Sequence, residues 1–421
     1  MKFQAVRGTK DILPIEARAW QKLEDIARRL FGVYGYSEIR TPVIEDTALF
    51  ERSVGETTDI VEKEMYTFED RGERKISLRP EETAPVVRAY LEAGLHKTQG
   101  FVKLYYIGPM FRAERPQAGR QRQFHQIGVE VIGSDSVYAD AESLQLLMHI
   151  LSETGLKKHS LVLNSLGCAK DREKLSQVLQ KNLKTQEATL CEDCKRRISR
   201  NVFRVFDCKK DSCRAAVRKM PTMLEHLCND CSAHFEALKK ILDSKGVKYA
   251  VNPHLVRGLD YYTRTAFEVT HEGLGAQNAI GAGGRYDNLV EEFGGPKLGA
   301  IGFALGVERL LLALETEGVN IADKQRTALF IASIGEEACK KGFDLLAAVR
   351  KGGISADMDY ENRSLKGQLR RASDLNVKFV AILGEDELKK NAVTLKDMDK
   401  GTQQEVNFSK LSEMLKNAAD T

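Results

Sequence analysis

The residues best equipped for chemistry lie in FRAERPQAGRQRQFHQIGVEVIG, residues 111 to 133, where Arg112, Arg115, Arg120 and Arg122 fall within eleven positions. A guanidinium is planar, always charged and able to form two parallel N–H bonds, so this density suits a phosphate-bearing ligand. A solvated basic hairpin would carry the same arginines, but the strand after them separates the two readings. Period-two alternation puts Phe124, Gln126, Gly128 and Glu130 on one face and His125, Ile127, Val129 and Val131 on the other. The second face belongs in a core, with His125 as a packed histidine. The first is a poor core face and a good pocket floor. Phe124 can stack on a base, Gly128 leaves room, and Glu130 can accept bonds from a cationic or N–H-rich ligand.

Three further sets stand out. HLVRGLDYYTRTAFEV, residues 254 to 269, reads as a strand with many polar tips: Arg257, Asp260, Tyr261, Tyr262 and Arg264. AIGAGGRYDNL places Gly281, Gly283 and Gly284 ahead of Arg285 and Asp287, and reads as a glycine-rich loop. It has neither the P-loop pattern nor the G-x-G-x-x-G spacing of a dinucleotide site. In GAIGFALGVERLLLAL a strand runs through Gly306 into a buried helix that starts with Glu308 and Arg309. Arg309 there needs either an ion-pair partner or a phosphate.

Six of the eight cysteines fall between Cys191 and Cys231, as C-x2-C (Cys191, Cys194), C-x4-C (Cys208, Cys213) and C-x2-C (Cys228, Cys231). Paired C-x2-C suits structural zinc, although the 33 residues between the pairs exceed the usual roughly 15 to 20. Six candidates for four tetrahedral positions leave the ligand set open, with free thiols as the other reading.

The elements that position these residues follow from pattern. A helix carries Trp20, Leu23, Ile26, Leu30 and Phe31, and residues 38 to 45 read as extended around Pro42. A short strand at 75 to 78 leads into a helix that starts near Thr83. Strands over 101–114 and 123–133 form an antiparallel hairpin with a long tip. A helix through Leu144 to Leu151 precedes a strand over 160–166. Residues 327 to 421 alternate strands with helices, as in a compact α/β module.

The expected organisation is a catalytic domain in two parts, 1–166 and 247–324, an inserted helical, cysteine-bearing subdomain over 167–246, and a second domain over 325–421. The fold class is α/β, with an α+β catalytic domain. With 42% hydrophobic and 29% charged residues, the 421-residue chain is excluded from the disordered and collagen-like classes. A net charge of +4 argues only weakly for a polyanionic partner. No apolar run approaches membrane-span length and the N-terminus has no signal-like apolar stretch, so a soluble protein of a reducing cytoplasm is expected.

Together the motifs resemble the class II aminoacyl-tRNA synthetases, and within them the bacterial-type histidyl-tRNA synthetases, over nearly the whole chain. GYSEIRTPVIEDTALFERSVGETTDIVEKEMYTF is similar to motif 1 of the class, a dimer-interface helix and strand ending here at Pro42. FRAERPQAGRQRQFHQ is similar to motif 2 and GFALGVERLLL to motif 3, whereas LVRGLDYYTRTAFEV and GAGGRYDNL resemble the histidine-specific signatures.

The resemblance implies an antiparallel sheet flanked by helices, with a C-terminal anticodon-binding domain. It also implies a homodimer that joins L-histidine to tRNA(His) using ATP and Mg²⁺. Arg112 and Arg309 would clamp ATP phosphates, with Arg120 in the same site, while Glu114 and Phe124 would hold adenine. Glu81, Thr83 and Gln126 would take the histidine amino group, and Glu130, Tyr261, Tyr262 and Arg285 would surround its ring. Arg257 would act as an electrophile at the α-phosphate, and Arg115 and Gln117 would meet the tRNA acceptor end. Glu82 departs from the family pattern and is expected to point away from the amino-binding site. Gln121 stands where tyrosine is common. The rival is the family's non-catalytic paralogue, the histidine-sensing regulatory subunit of ATP phosphoribosyltransferase. It commonly lacks the C-terminal module that residues 327 to 421 supply here.

Overall fold

The structure is a computed structural model that describes residues 3–55, 58–117, 119–322 and 326–419. It divides into two compact units, Met1–Ala322 and Asp323–Thr421. The boundary expected between 324 and 325 lies outside the described residues.

The first unit is built on a sheet whose strands in chain order are β1 (Ser37–Glu38), β2 (Val102–Phe111), β3 (Gln123–Ile132), β4 (His159–Ser165), β5 (Ala250–Val251), β6 (Thr263–His271), β7 (Ala279–Arg285) and β8 (Ala300–Gly306). Their spatial order is β1-β2-β3-β8-β7-β6-β4-β5. The five central pairings are antiparallel and only the two edge pairs are parallel. A separate three-stranded sheet is made by Ile44–Asp46, Tyr66–Glu69 and Lys75–Leu78.

Alternation sets the two faces of the large sheet. Ile127, Val129 and Val131 of β3, Phe267 and Val269 of β6, and Phe303 and Leu305 of β8 share one core with the apolar stripes of four helices: Pro14–Val33, Val137–Glu153, Asn229–Ser244 and Val307–Thr316. The opposite face is closed only in part, by helix Thr83–Glu92 and a cluster containing Val86, Tyr90 and Tyr106.

Several expectations change. The extended run over 38–45 is split, with strand at Ser37–Glu38 and Ile44–Asp46 and Pro42 in the link between them. Residues 252–262 are loop, and β6 starts only at Thr263. Arg257, Tyr261 and Tyr262 therefore precede the strand rather than lie on it. The glycine-rich stretch is strand β7, paired on both sides. Its glycines are needed because a Cβ at Gly283 or Gly284 would run into the neighbouring strands' backbone. Helix Asn229–Ser244, expected in the insertion, puts Phe235, Leu238 and Leu242 into the main core. The rest of the insertion has its own cluster around Leu175, Leu179, Ile198 and Val205.

The second unit is a sheet in the order Ala356–Met358, Leu329–Ser333, Phe379–Leu383, Ala392–Asp397, Gln403–Asn407. The first three strands are parallel and the last two antiparallel. Leu329 and Ile331 face helices Glu336–Lys351 and Leu411–Ala419, whereas Phe330 and Ala332 face helix Leu365–Asp374. The strand Gln403–Asn407 went unpredicted because its burial pattern is almost entirely exposed. Among the described residues no helix is long and apolar enough to cross a membrane.

One polar network crosses the main core. Asp140, on helix Val137–Glu153, is fully buried and accepts from Arg285 Nη1 at 2.5 Å and Thr265 Oγ1 at 2.6 Å, with His234 Nε2 at 2.8 Å. Removing one partner of a buried ion pair costs about 3–5 kcal/mol, because the other charge is left uncompensated. Asp140→Ala is therefore expected to lower the unfolding free energy by about that much, measured by urea titration; a loss within error would show that Arg285 has other adequate partners.

Candidate active site

The partly open face of the sheet floors a cavity of about 660 Å³. Its walls bring together Glu81 and Thr83 from the start of helix Thr83–Glu92; Arg112, Glu114, Arg120, Phe124 and Gln126 from the hairpin; Arg257, Tyr261 and Tyr262 from the loop before β6; and Arg309 from helix Val307–Thr316. Arg115 and Gln117 lie on the exposed hairpin tip, where Gln117 and Arg120 exchange backbone hydrogen bonds.

Local chemistry holds each wall in place. Glu81 caps its helix by accepting from Thr83 N and Ala84 N, both at 2.9 Å, and Tyr261 donates to it at 3.3 Å. Burial pushes its carboxyl up, opposed by those N–H bonds and by Arg112. Arg112 Nε donates to Pro80 O at 3.0 Å, and its guanidinium lies 5.2 Å from the centre of the Phe124 ring. Arg309 donates to Gly119 O at 2.9 Å and Ala279 O at 2.8 Å. Among the described residues neither arginine has a carboxylate at ion-pair distance. Burial pulls both guanidiniums below their ordinary range; Arg120 and Arg112 add like-charge repulsion on Arg309. A site that crowds uncompensated arginines is suited to a polyphosphate.

Among the described residues, two polar atoms in the cavity walls lack partners. Gln126 Oε1 and Arg257 Nε are buried without a hydrogen bond, although Arg257 Nη1 meets Glu268 at 2.6 Å. Such groups are costly unless a ligand satisfies them. Glu114 is held in an ion pair with Arg120.

Three expected placements need correction. Glu130 lies beneath the floor rather than on it, because Thr83 Oγ1 (2.7 Å) and the Tyr286 hydroxyl (2.5 Å), both on the wall, donate to its two oxygens. Burial, reinforced by Glu81 and Glu82 against those two hydrogen bonds, pushes its carboxyl up to about 8. A Cβ on Gly302 of β8 would run into Glu130, so that glycine admits the carboxylate. Arg285 does not reach the cavity. Its register shift after Gly284 accompanies a guanidinium bound to Asp140, Asp287 and Ser134 O. The room over Gly128 is filled by the Tyr106 ring. Glu82 does point away from the cavity, bonded to Thr41 Oγ1 at 2.6 Å and Arg79 at 2.9 Å. Arg309 does not pair with Glu308, whose carboxylate instead accepts from His125 N.

The six predicted cysteines do not form one group. Cys191, Cys194, Cys208 and Cys213 cluster together, and Cys228 and Cys231 join Cys168 and Asp171 elsewhere.

The family model described as Histidyl-tRNA synthetase matches residues 8–310, well over half the chain. The chain belongs to the histidyl-tRNA synthetase family. A second model, described as Anticodon binding domain, matches residues 328–418. Among curated members of the histidyl-tRNA synthetase family, the chain is 49% identical to a histidine–tRNA ligase of Natranaerobius thermophilus over 100% of both chains. It is 51% identical to one of Desulforamulus reducens, over 96% of this chain and 97% of the relative. The crystal structure of apo S. aureus histidyl-tRNA synthetase superposes with a TM-score of 0.85 at 39% identity, covering 98% of this chain and 100% of that one.

Sequence reasoning missed Tyr106, Tyr286 and Glu268, which also line the cavity of this family member. Tyr106 was detectable as the lone hydroxyl on the alternating face of β2 that also carries Leu104. Tyr286 had no periodic signal, since it follows the end of β7. Arg197, Asp207 and Lys209 of the insertion reach the cavity rim only through tertiary folding.

Glu130 generates a pH expectation. Its folded value lies above the ordinary 4.5, so the protonated carboxyl favours the fold. That contribution is complete below about 4.5 and is lost as pH rises through about 8. The slope is at most about 1.4 kcal/mol per pH unit. Urea unfolding of ligand-free protein from pH 5 to 8 should show stability falling with pH, and Glu130→Gln should flatten that fall. Parallel curves for the two proteins would mean that Glu130 is ionised throughout.

Proposed function

We propose that this chain attaches L-histidine to tRNA(His) through a histidyl-adenylate, releasing diphosphate and then AMP. The observation that carries this reading is the cavity that gathers Arg112 and Arg309, both bonded only to carbonyls, with Arg257 beside tyrosines and a buried amide. ATP enters as its Mg²⁺ complex. Arg112 and Arg309 clamp its phosphates, Arg120 lies beside them, Phe124 stacks on adenine, and Glu114 meets the adenine amino group. Glu81, Thr83 and the unpartnered Gln126 Oε1 take the histidine amino group. Tyr261, Tyr262 and Tyr286 surround the imidazole, with Glu130 orienting the Tyr286 and Thr83 hydroxyls from below.

In the first step a histidine carboxylate oxygen attacks the α-phosphorus, forming an O–P bond as the bond to diphosphate breaks. The carboxylate is already ionised, so no general base is needed. Negative charge grows on the α-phosphoryl oxygens, where a fixed Arg257 stabilises it without reorganisation. In the second step a terminal ribose hydroxyl of tRNA attacks the adenylate carbonyl and AMP leaves. Arg115 and Gln117, exposed on the hairpin tip, meet the acceptor end. The unit Asp323–Thr421 reads the anticodon, a role supported by the description of its family model. The enzyme works as a cytoplasmic homodimer. A histidine-sensing paralogue would need neither the phosphate-facing arginines nor the second unit.

Histidine-dependent exchange of diphosphate into ATP tests this reading, with proline and no amino acid as controls. Exchange is expected with histidine alone. Arg257→Ala should lower its kcat about 10²–10³-fold, the usual cost of removing one preorganised charge-stabilising donor. Exchange with proline, or an Arg257→Ala enzyme as fast as the parent, would overturn it.

A further inference from the structure

The insertion contains two separate groups of potential metal ligands, seven thiols and one carboxylate in all, that the amino-acid chemistry does not use. In the first, the sulfurs of Cys191, Cys194, Cys208 and Cys213 all lie within 4.8 Å of one another. Four thiolates bound tetrahedrally at about 2.3 Å would sit roughly 3.8 Å apart, and Cys191 Sγ and Cys208 Sγ are 3.9 Å apart. None is in a disulfide, Cys194 and Cys213 are fully buried, and Cys191 N donates to Cys213 Sγ at 3.2 Å. In the second group Cys168, Cys228, Cys231 and an Asp171 oxygen meet the same 4.8 Å limit. Cys168 N and Cys228 N donate to the two Asp171 oxygens at 3.2 and 3.0 Å, which orients the carboxylate.

The ligands share a local design. Cys168 and Asp171 occupy the N-cap and third position of helix Ala169–Lys184; Cys191 and Cys194 do so on Glu192–Arg200, and Cys228 and Cys231 on Asn229–Ser244. A helix start favours the thiolate form a metal requires. Each C-x2-C is thus half of a different centre, which explains why their separation in sequence does not match a single zinc knuckle.

We propose that the insertion holds two structural zinc ions, one in an all-thiolate centre (Cys191, Cys194, Cys208, Cys213) and one in a mixed thiolate–carboxylate centre (Cys168, Asp171, Cys228, Cys231). Apolar packing alone cannot hold helix Glu192–Arg200, which buries only Cys194 and Ile198. Its far end nevertheless has to be placed, because Asn201 donates to Asp260 at 2.9 Å and Arg204 donates to Gly258 O at 2.6 Å. Those acceptors lie in the loop itself, between Arg257 and Tyr261. The all-thiolate centre therefore stiffens the segment that braces the substrate loop. The mixed centre joins helix Ala169–Lys184 to Asn229–Ser244, and so ties the insertion to the main core.

Metal content tests the proposal independently of catalysis. Wild-type protein purified without chelator should carry two zinc ions per chain by plasma mass spectrometry, both released by a mercurial thiol reagent and read with a chromogenic zinc indicator. Cys194→Ser and Cys231→Ser should each lose one zinc ion and keep the other. Anaerobic cobalt(II) exchange should show two tetrahedral centres of unequal thiolate charge-transfer intensity. One zinc ion or none in the wild type, iron in either centre, or loss of both ions from a folded single variant would overturn it. Wild-type stoichiometry decides the matter if a variant does not fold.

Discussion

A carboxylate sealed from water is tolerable only when opposite charge and hydrogen bonds meet it on every side, and Asp140 is the point where this chain satisfies that demand. Its partners come from β6, the end of β7 and helix Asn229–Ser244, while Asp140 itself stands on helix Val137–Glu153. Arg285 extends the same network to Ser134 O and to Asp287, which also accepts from Ala300 N of β8. Apolar contacts alone could tolerate a two-residue slip, which keeps the apolar face inward. A shared ion pair cannot, because a slip would leave a charge alone in the core. The sheet is thereby indexed against two of its covering helices, and the far face inherits that register.

On that far face the demand is reversed. Arg112 and Arg309 spend their donors on carbonyls, and Arg120 adds to the positive crowding. Beneath them Glu81, Glu82 and Glu130 form a layer of buried carboxyls, two of them pushed up to about 7 and about 8, chiefly by burial. The cavity is therefore positive at its arginine end, while the raised carboxyls beneath the other end hold protons near neutrality and act there mainly as hydrogen-bonding groups.

Much of this was legible in sequence where period two or 3.6 governs. The β2–β3 hairpin, the core face of β3 and the helices at Thr83 and Val307 follow from local alternation. The identity of the pocket residues followed from motif resemblance more than from geometry. Glu130 and Arg285 show the limit. Glu130 sits on a strand whose faces were readable and Arg285 on one that read as a loop, yet the partners of both, Thr83, Tyr286 and Asp140, are set by long-range register. The C-x2-C pairs misled for a related reason: spacing along the chain suggested one centre, whereas three helix starts brought together in space provide two groups. Cys168 and Asp171 could have been found only by noticing that C-x2-D at a helix start repeats the C-x2-C arrangement.

The close approach of Gly302 to Glu130 constrains how this pocket can change over generations. Any side chain at 302 strikes both the Glu130 carboxylate and the backbone oxygen of Val129, so substitution there stays closed even if position 130 becomes shorter. Shortening position 130 would strand the Thr83 and Tyr286 hydroxyls at the cavity wall. Position 302 is thus fixed by backbone and position 130 by its hydroxyl partners, so neither step is neutral. The floor of this cavity is therefore expected to resist change over generations while the exposed hairpin tip drifts.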